Sequence, residues 1–259
     1  MVALAVKQSG RRISARREII EQNRLRLSFE RKLRLQMFTA FTEIGQQARN
    51  EYRLFRNIDR TQINVEAKIF EILASHYRAV IDEFGLRILR DQKEDSQFER
   101  IIRLYLAEVG AERVQAISRT TVRLIQALII AGQAEGLGNA IIAQSIFDRM
   151  NGSFSRYRSA TIARTETHNA ASFANHEINK SLKIPSQVKR WVSVADGRTR
   201  SHHAQMNGTE VPIDEDFIVP YNGVPFRMAY TGDPRGGAGN TINCRCVTLY
   251  VSPEDELLD

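Results

Sequence analysis

All six prolines of this 259-residue chain, Pro185, Pro212, Pro220, Pro225, Pro234 and Pro253, fall after residue 184. Proline inside a helix removes a hydrogen bond and costs about 3 kcal/mol, so the first 184 residues are free to form long helices. The apolar pattern uses that freedom. From Ala15 to Asn57 apolar residues return every three or four positions, through Leu33, Met37, Phe41, Ile44, Ala48, Tyr52 and Phe55, which predicts one long amphipathic helix. A second helix is expected from Val65 to Leu89, with His76 as a partly buried member of its face. A third starts near Phe98 and stops at the glycines Gly132, Gly136 and Gly138. A short one over Ala140–Met150 and another over Tyr157–Leu182 complete the series, with His176 read as a surface residue. Beyond residue 184 the pattern changes to short alternating stretches, Val188–Val194 and Arg245–Val251, joined by loops rich in Asn-Gly and Asp-Gly. Those are strand and turn signals. The fold class expected is α+β: a long, mostly helical N-terminal region, then a small loop-rich C-terminal module with a short sheet.

Charge is distributed unevenly. Residues 1–60 hold 14 Lys or Arg against 6 Asp or Glu, whereas residues 161–259 hold 10 against 12. The basic excess therefore belongs to the N-terminal segment, where Arg11, Arg12, Arg16, Arg17, Arg24, Arg26, Arg31, Lys32 and Arg34 are the candidates for contact with phosphates or an acidic protein surface. A solvated helix face explains the same residues without a partner. No apolar run approaches the roughly 20 residues that cross a bilayer, and the N-terminal order of apolar then basic residues is the reverse of a secretory signal. No membrane association and a reducing cytoplasm are expected.

Three short constellations carry chemistry. Cys244 and Cys246 are the only cysteines; at i and i+2 of an extended segment their sulfurs share a face and could reach one metal. Zinc takes about four nitrogen or sulfur ligands, and His202 and His203 stand in a second loop to complete the set. The alternative is a pair of small buried thiols. Asp196-Gly-Arg-Thr-Arg-Ser-His-His203 gathers carboxylate, guanidinium, hydroxyl and imidazole directly after a predicted strand. The structural reading is favoured there: a turn held by a local Asp196–Arg198 ion pair. Arg164-Thr-Glu-Thr-His168 lies on a helix with polar residues on nearly every side, a pattern suited to fixing that helix to neighbouring loops. Neither a P-loop, a nucleophile elbow nor a dinucleotide fingerprint is present.

Taken in order, Ala163-Arg-Thr-Glu-Thr167, Trp191, Asp196-x-Arg-Thr-x-x-x-His203, Gly208 and Asn243-Cys-Arg-Cys246 resemble the phage Mu F-like minor head protein family over roughly residues 140–251. The positions that carry the resemblance are Arg164, Thr165, Glu166, Trp191, Asp196, Arg198, Thr199, His203, Gly208, Asn243, Cys244 and Cys246. The resemblance implies a minor capsid component of a tailed phage or prophage, acting in head morphogenesis, made in the host cytoplasm and assembled into the virion. It also implies oligomeric assembly with the portal protein or major capsid protein, and contact with packaged double-stranded DNA. Some relatives look as if they carry a CxxC where this chain has Arg200 and His203. Arg200 cannot ligate a metal, so a fourth ligand would come from His202, His168, an Asp or water. Residues 1–138 then form the partner-docking helical region and residues 139–259 the family module.

Two other functions fit the residues. One is a DNA-binding internal head protein using the basic segment. The other is a metal-dependent hydrolase acting on nucleic acid, with His203, Cys244 and Cys246 as ligands and Asp196 or Glu166 as base.

Overall fold

The computed structural model describes residues 12–89 and 95–258. Arg11, one of the phosphate-contact candidates, lies outside the described residues. The expected order of elements is present: β1 (Arg12–Ser14), α1 (Ala15–Phe55), α2 (Asp59–Leu89), α3 (Asp95–Tyr105), a π-helical turn (Leu106–Gly110), α4 (Ala111–Ala134), α5 (Asn139–Asn151) and α6 (Ser153–Ser181). There follow β2 (Val188–Val192), α7 (Ser201–Gln205), β3 (Glu210–Pro212), β4 (Phe217–Tyr221), β5 (Val224–Met228), α8 (Gly237–Thr241), β6 (Val247–Val251) and β7 (Glu256–Leu258). The α+β reading holds. The third predicted helix is divided into α3 and α4 by the π turn, whose widened hydrogen bonding passes without a break in the chain.

Local chemistry sets the ends of these elements. The Ser14 hydroxyl accepts from the Arg17 N–H and caps α1. At the other end Arg56 takes a left-handed conformation and donates its N–H to the Tyr52 carbonyl. Glu51 then receives the N–H groups of Arg60 and Thr61 at 2.8 Å and the Thr61 hydroxyl at 2.7 Å, which satisfies the first turn of α2. α2 begins six residues before the expected Val65, where the Glu51 carboxylate near the end of α1 caps its first turn.

One apolar core joins the helices. Leu33, Met37, Phe41 and Ile44 of α1 pack with Ile69, Leu73 and Phe84 of α2, Ile142 and Ile146 of α5, and Phe173 and Ile178 of α6. This core runs across the 138/139 division, so one face of α1 is part of the same core as α5 and α6 while the other faces solvent. α1 and α5 cross closely at Gly45, where a Cβ would lie 2.4 Å from Met150 Cβ.

Among the described residues, sheet structure is confined to β1 and to the last third of the chain. β2 is the centre of an antiparallel sheet of order β3–β2–β6, β4 pairs with β5, and β1 pairs with β7 in parallel. Asn222 and Gly223, both at positive φ, make the two-residue turn between β4 and β5. The outer face of β6 carries Val247, Leu249 and Val251 against Ala15 and Ile19 of α1. A second small core, with Trp191, Met206, Phe217, Val219, Met228, Cys244 and Cys246, lies inside the C-terminal loops.

His176 departs from its expected surface position. It is buried, and its Nδ1 lies 3.3 Å from the Tyr250 hydroxyl. His76 is buried too, with Nε2 at 2.9 Å from the Thr167 hydroxyl. Helical spacing told which face each histidine is on but not what covers that face.

Two outcomes are expected. Replacing Gly45 by alanine forces α1 from α5 and lowers the unfolding free energy by about 1–3 kcal/mol in a denaturant titration. Burial first, then nearby Lys32 for His76 and Lys189 for His176, depresses the pKa of each histidine to about 3. Both stay neutral in the folded chain and regain a pKa of about 6.5 when it unfolds. Their contribution is thus complete above that pH and is lost as pH falls toward 3. Stability should decline with a slope of up to ~1.4 kcal/mol per pH unit for each histidine, and His176→Gln should flatten it. An unchanged slope would place the proton uptake elsewhere.

Candidate functional site

Two loops and one helix build the cysteine site. At the end of β2 the Trp191 N–H donates to the Thr209 carbonyl (2.9 Å) and its carbonyl accepts from the Gly208 N–H (2.8 Å); Gly208 sits at φ +83°. The Asn207 side chain takes the Ser193 N–H at 2.9 Å. Residues 193–209 therefore form a closed loop. Asp196 organises its interior, accepting from the Arg198 N–H (3.1 Å) and the Thr199 hydroxyl (3.2 Å) while Arg198 Nη2 lies at 3.3 Å. Arg245 then grips both carboxylate oxygens, at 2.6 and 2.7 Å. That bidentate contact holds the Asp196 carboxyl well below the usual carboxylate range. Asp196 keeps the expected local pair with Arg198, at 3.3 Å, but its main partner is Arg245, which makes it a fastener between the two loops.

The second loop is fixed by α6. Arg164 Nη1 donates to the Asn243 side-chain oxygen at 2.9 Å, and the Thr165 hydroxyl accepts the Asn243 N–H at 3.1 Å. Asn243 itself takes a positive φ of 58°, which turns the chain so that Cys244 and Cys246 enter the interior just before β6.

His203, Cys244 and Cys246 meet there, all buried, with their ligand atoms within 4.8 Å of one another. His203 Nδ1 is 3.5 Å from the Cys246 sulfur and 3.8 Å from the Cys244 sulfur. The other ring nitrogen, Nε2, faces the Asn240 side-chain oxygen at 3.2 Å. Asn240's orientation is settled because its NH2 donates to the Gly236 carbonyl at 2.9 Å. Nε2 therefore carries the proton, and the Nδ1 lone pair points at the sulfurs. Trp191 closes this side, edge-on to His203 with ring centres 5.2 Å apart.

The sulfurs share a proton unequally. Hydrogen bonding from Cys246, with His168 adding to it, draws the Cys244 thiol well below its ordinary pKa, and Cys246 is pushed up as the proton holder. Arg26 of α1 supplies a neighbouring positive charge. It is buried, contacts His168 Nδ1 and the Asn23 side chain, and donates to the Arg245 carbonyl at 3.4 Å. Burial first, then Arg26, lowers the His168 pKa, and the neighbouring Cys244 sulfur opposes the fall.

These positions fit a metal ion. Bond lengths of about 2.3 Å to sulfur and 2.1 Å to nitrogen put sulfur and nitrogen about 3.6 Å apart in a tetrahedron, close to the 3.5 and 3.8 Å observed. His203, Cys244 and Cys246 could therefore hold one. His202 turns aside, its Nε2 on the same Asn240 oxygen at 3.0 Å. His168 stands next to Cys244.

Glu166 does not join the cluster; it is buried and accepts from the Tyr77 hydroxyl of α2 at 2.8 Å. Arg26 is the larger departure, since it belongs among the phosphate-contact candidates by charge. Arg16, Arg17, Arg24, Arg31, Lys32 and Arg34 do face solvent, and Arg12 lies in β1. The sequence holds a signal for Arg26: Gln22, Arg26, Leu33 and Met37 follow at intervals of four and seven on the buried stripe of α1. Asn240, the residue that sets the His203 tautomer, has no such signal.

Residues 123–249 match the family described as Phage Mu protein F like protein. The chain is 31% identical to minor head protein GP7 of Bacillus phage SPP1 over 146 residues, covering 54% of this chain and 42% of that protein. It is 34% identical over 135 residues to the NAD(+)-arginine ADP-ribosyltransferase EFV of Enterococcus faecalis, covering 49% of this chain and 26% of that protein. A third relative, the uncharacterized protein YqbB of Bacillus subtilis, is 30% identical over 112 residues, covering 40% of this chain and 36% of that protein. The chain thus spans between about a quarter and two fifths of the length of these relatives. No solved structure matches it.

Proposed function

We propose that this chain, whose residues 123–249 match the Phage Mu protein F like family, is a minor structural component of a tailed-phage head. The observation that carries this reading is the likeness to minor head protein GP7, beside a family match over residues 123–249 that takes in His203, Cys244 and Cys246. The construction of the site supports a structural role. Its members are buried, the space beside them amounts to about 20 Å3, and its carboxylate is fastened by Arg245. A metal-dependent hydrolase needs an open coordination position and a free base. Asp196 is engaged and Glu166 faces Tyr77, so neither base candidate fits. The transferase activity in one relative's name is not carried over from a match that covers 26% of that protein.

In this reading the partner is the portal or major capsid protein, and the virion is the location. The docking surface is the outer face of α1, where Arg16, Arg24, Arg31 and Arg34 stand exposed, with the exposed Leu54, Phe55 and Ile63 where α1 turns into α2. A deletion of residues 1–60 would remove Leu33, Met37 and Phe41 from the core, so surface variants are the sound test. The full chain should co-sediment with assembled portal or capsid particles of its phage. Arg31→Glu with Arg34→Glu should weaken that binding without lowering the melting temperature. No association of the wild-type chain with either particle would refute the assignment.

The same exposed arginines favour a second reading, contact with packaged DNA. Binding through them should fall steeply as salt rises, with a log–log slope near −0.9 per phosphate contact. A salt-independent affinity would remove it.

Zinc is the metal best matched to two thiolates and imidazole, and its role here would be to tie the 193–209 loop to the strand-leading segment. Elemental analysis of the purified chain should find about one zinc per molecule, lost in Cys244→Ser with a fall in melting temperature. Metal-free protein of unchanged stability would leave thiol–imidazole hydrogen bonds as the whole of the cluster.

A further inference from the structure

A cavity of about 820 Å3 opens where α6, the π turn and the start of α4 face β2 and the loops before β4 and α8. That volume suits a small ligand or the end of a peptide. Its walls include Phe173, Tyr230 and Ile213, and its floor includes Lys189 of β2. Lys189 shares the inner face of the strand with Trp191, is fully buried, and lies with Nζ 5.4 Å from the centre of the Phe217 ring.

Lys189 Nζ has no hydrogen-bond partner. The carboxylates that could neutralise it are engaged. Asp216 is held by two Arg235 nitrogens at 2.8 and 3.2 Å. Asp233 accepts from Arg235 at 2.7 and 2.9 Å and from the Ala229 N–H at 2.7 Å. Asp214 lies 3.6 Å from Lys180. A buried ammonium with no acceptor is among the costlier arrangements in a protein interior. Burial lowers its pKa to about 8, with Asp216 opposing, so the group is still mostly charged at neutral pH. A negatively charged acceptor answers that situation best.

The other side of the cavity has the opposite character. Glu177 of α6 is half-buried, and burial raises its pKa, with Lys180 opposing the rise and Glu108 adding to it. Glu108 and Glu112 line the same wall. These carboxylates repel a ligand that is anionic throughout, which argues against nucleotides and polyphosphates. They suit one that is positive at the far end.

We propose that this cavity binds a ligand with a carboxylate at one end and a cationic group at the other, the carboxylate accepting from Lys189 and the cation facing Glu177 and Glu108. A basic amino acid has this chemistry, and so does a peptide that ends in one.

Calorimetric titration of the full-length chain with L-arginine, with the tripeptide Ala-Gly-Arg and with its C-terminal amide tests the site and separates its two sources. Saturable binding of L-arginine or of the tripeptide is expected, with the amide at least about tenfold weaker than the free acid. Tighter binding of the tripeptide identifies a peptide end, and tighter binding of L-arginine an amino acid. Lys189→Met should weaken binding by about tenfold or more while the melting temperature holds or rises, since a methionine removes the unpaired charge at similar volume. A merely structural lysine would not combine lost binding with retained stability. Glu177→Gln, at a half-exposed position, should weaken binding independently. The proposal is overturned if the wild-type chain binds neither probe, or if both variants bind as tightly as wild type.

Discussion

A helix covered on every side cannot be held in register by an apolar stripe, and α6 is such a helix. From Thr165 to Asn179 nearly every side chain is buried, many of them polar. Each buried polar group must find a partner or destabilise the fold by about 1–3 kcal/mol. Thr165 accepts from Asn243, Glu166 from Tyr77, and Thr167 meets His76. The Asn169 amide donates to the carbonyls of Gly232 and Thr165, His176 meets Tyr250, and the Asn179 side chain accepts from Gln187. Partners come from α2 and from the C-terminal loops, on opposite sides of the helix. Rotating α6 by one residue would misalign all of them together, so the bundle and the loop module are positioned by one set of contacts.

Arg26 extends this coupling to α1. Its guanidinium reaches the cluster from the N-terminal helix, beside His168 and under the Arg245 carbonyl. The cysteine loops therefore rest on a residue more than two hundred positions earlier in the chain. A helical arm and a family module remain useful terms for the proposed docking and for the sequence likeness. Mechanically the core treats them as one body, since Leu33 and Met37 share it with Phe173 and Ile178.

Much of this architecture was legible in the sequence, and the boundary of legibility has a physical cause. The proline-free stretch and its three-to-four spacing located α1, α5 and α6 within a few residues, and α2 to within six, because local sterics and amphipathic burial act over one or two turns. The pair Cys244 and Cys246 was legible since two thiols at i and i+2 carry their geometry with them, and His203 was legible as a nearby imidazole. His176, Arg26 and Lys189 were not read correctly or not singled out. Each is a polar side chain whose burial depends on a surface supplied from far away: Tyr250, the cluster and the large cavity respectively. Charge counts placed Arg26 outside; only the extension of the Leu33 and Met37 stripe placed it inside. Asn240 shows the remaining limit, for nothing in its neighbourhood announces that it will set a histidine's tautomer.

The parallel pairing of β1 with β7, Arg12 beside Glu256 through Ser14 beside Leu258, has a mechanical consequence. Pulling residue 12 and residue 258 apart draws the two strands past each other along their length. The ladder is loaded in shear, and its hydrogen bonds share the force instead of opening one at a time. Beyond it lies the Ser14 cap of α1, so tension reaches the helix core only after the ladder has slipped. Three residue pairs thus act as a clasp against axial stretching, the kind of load that drawing a folded chain through a narrow channel would impose.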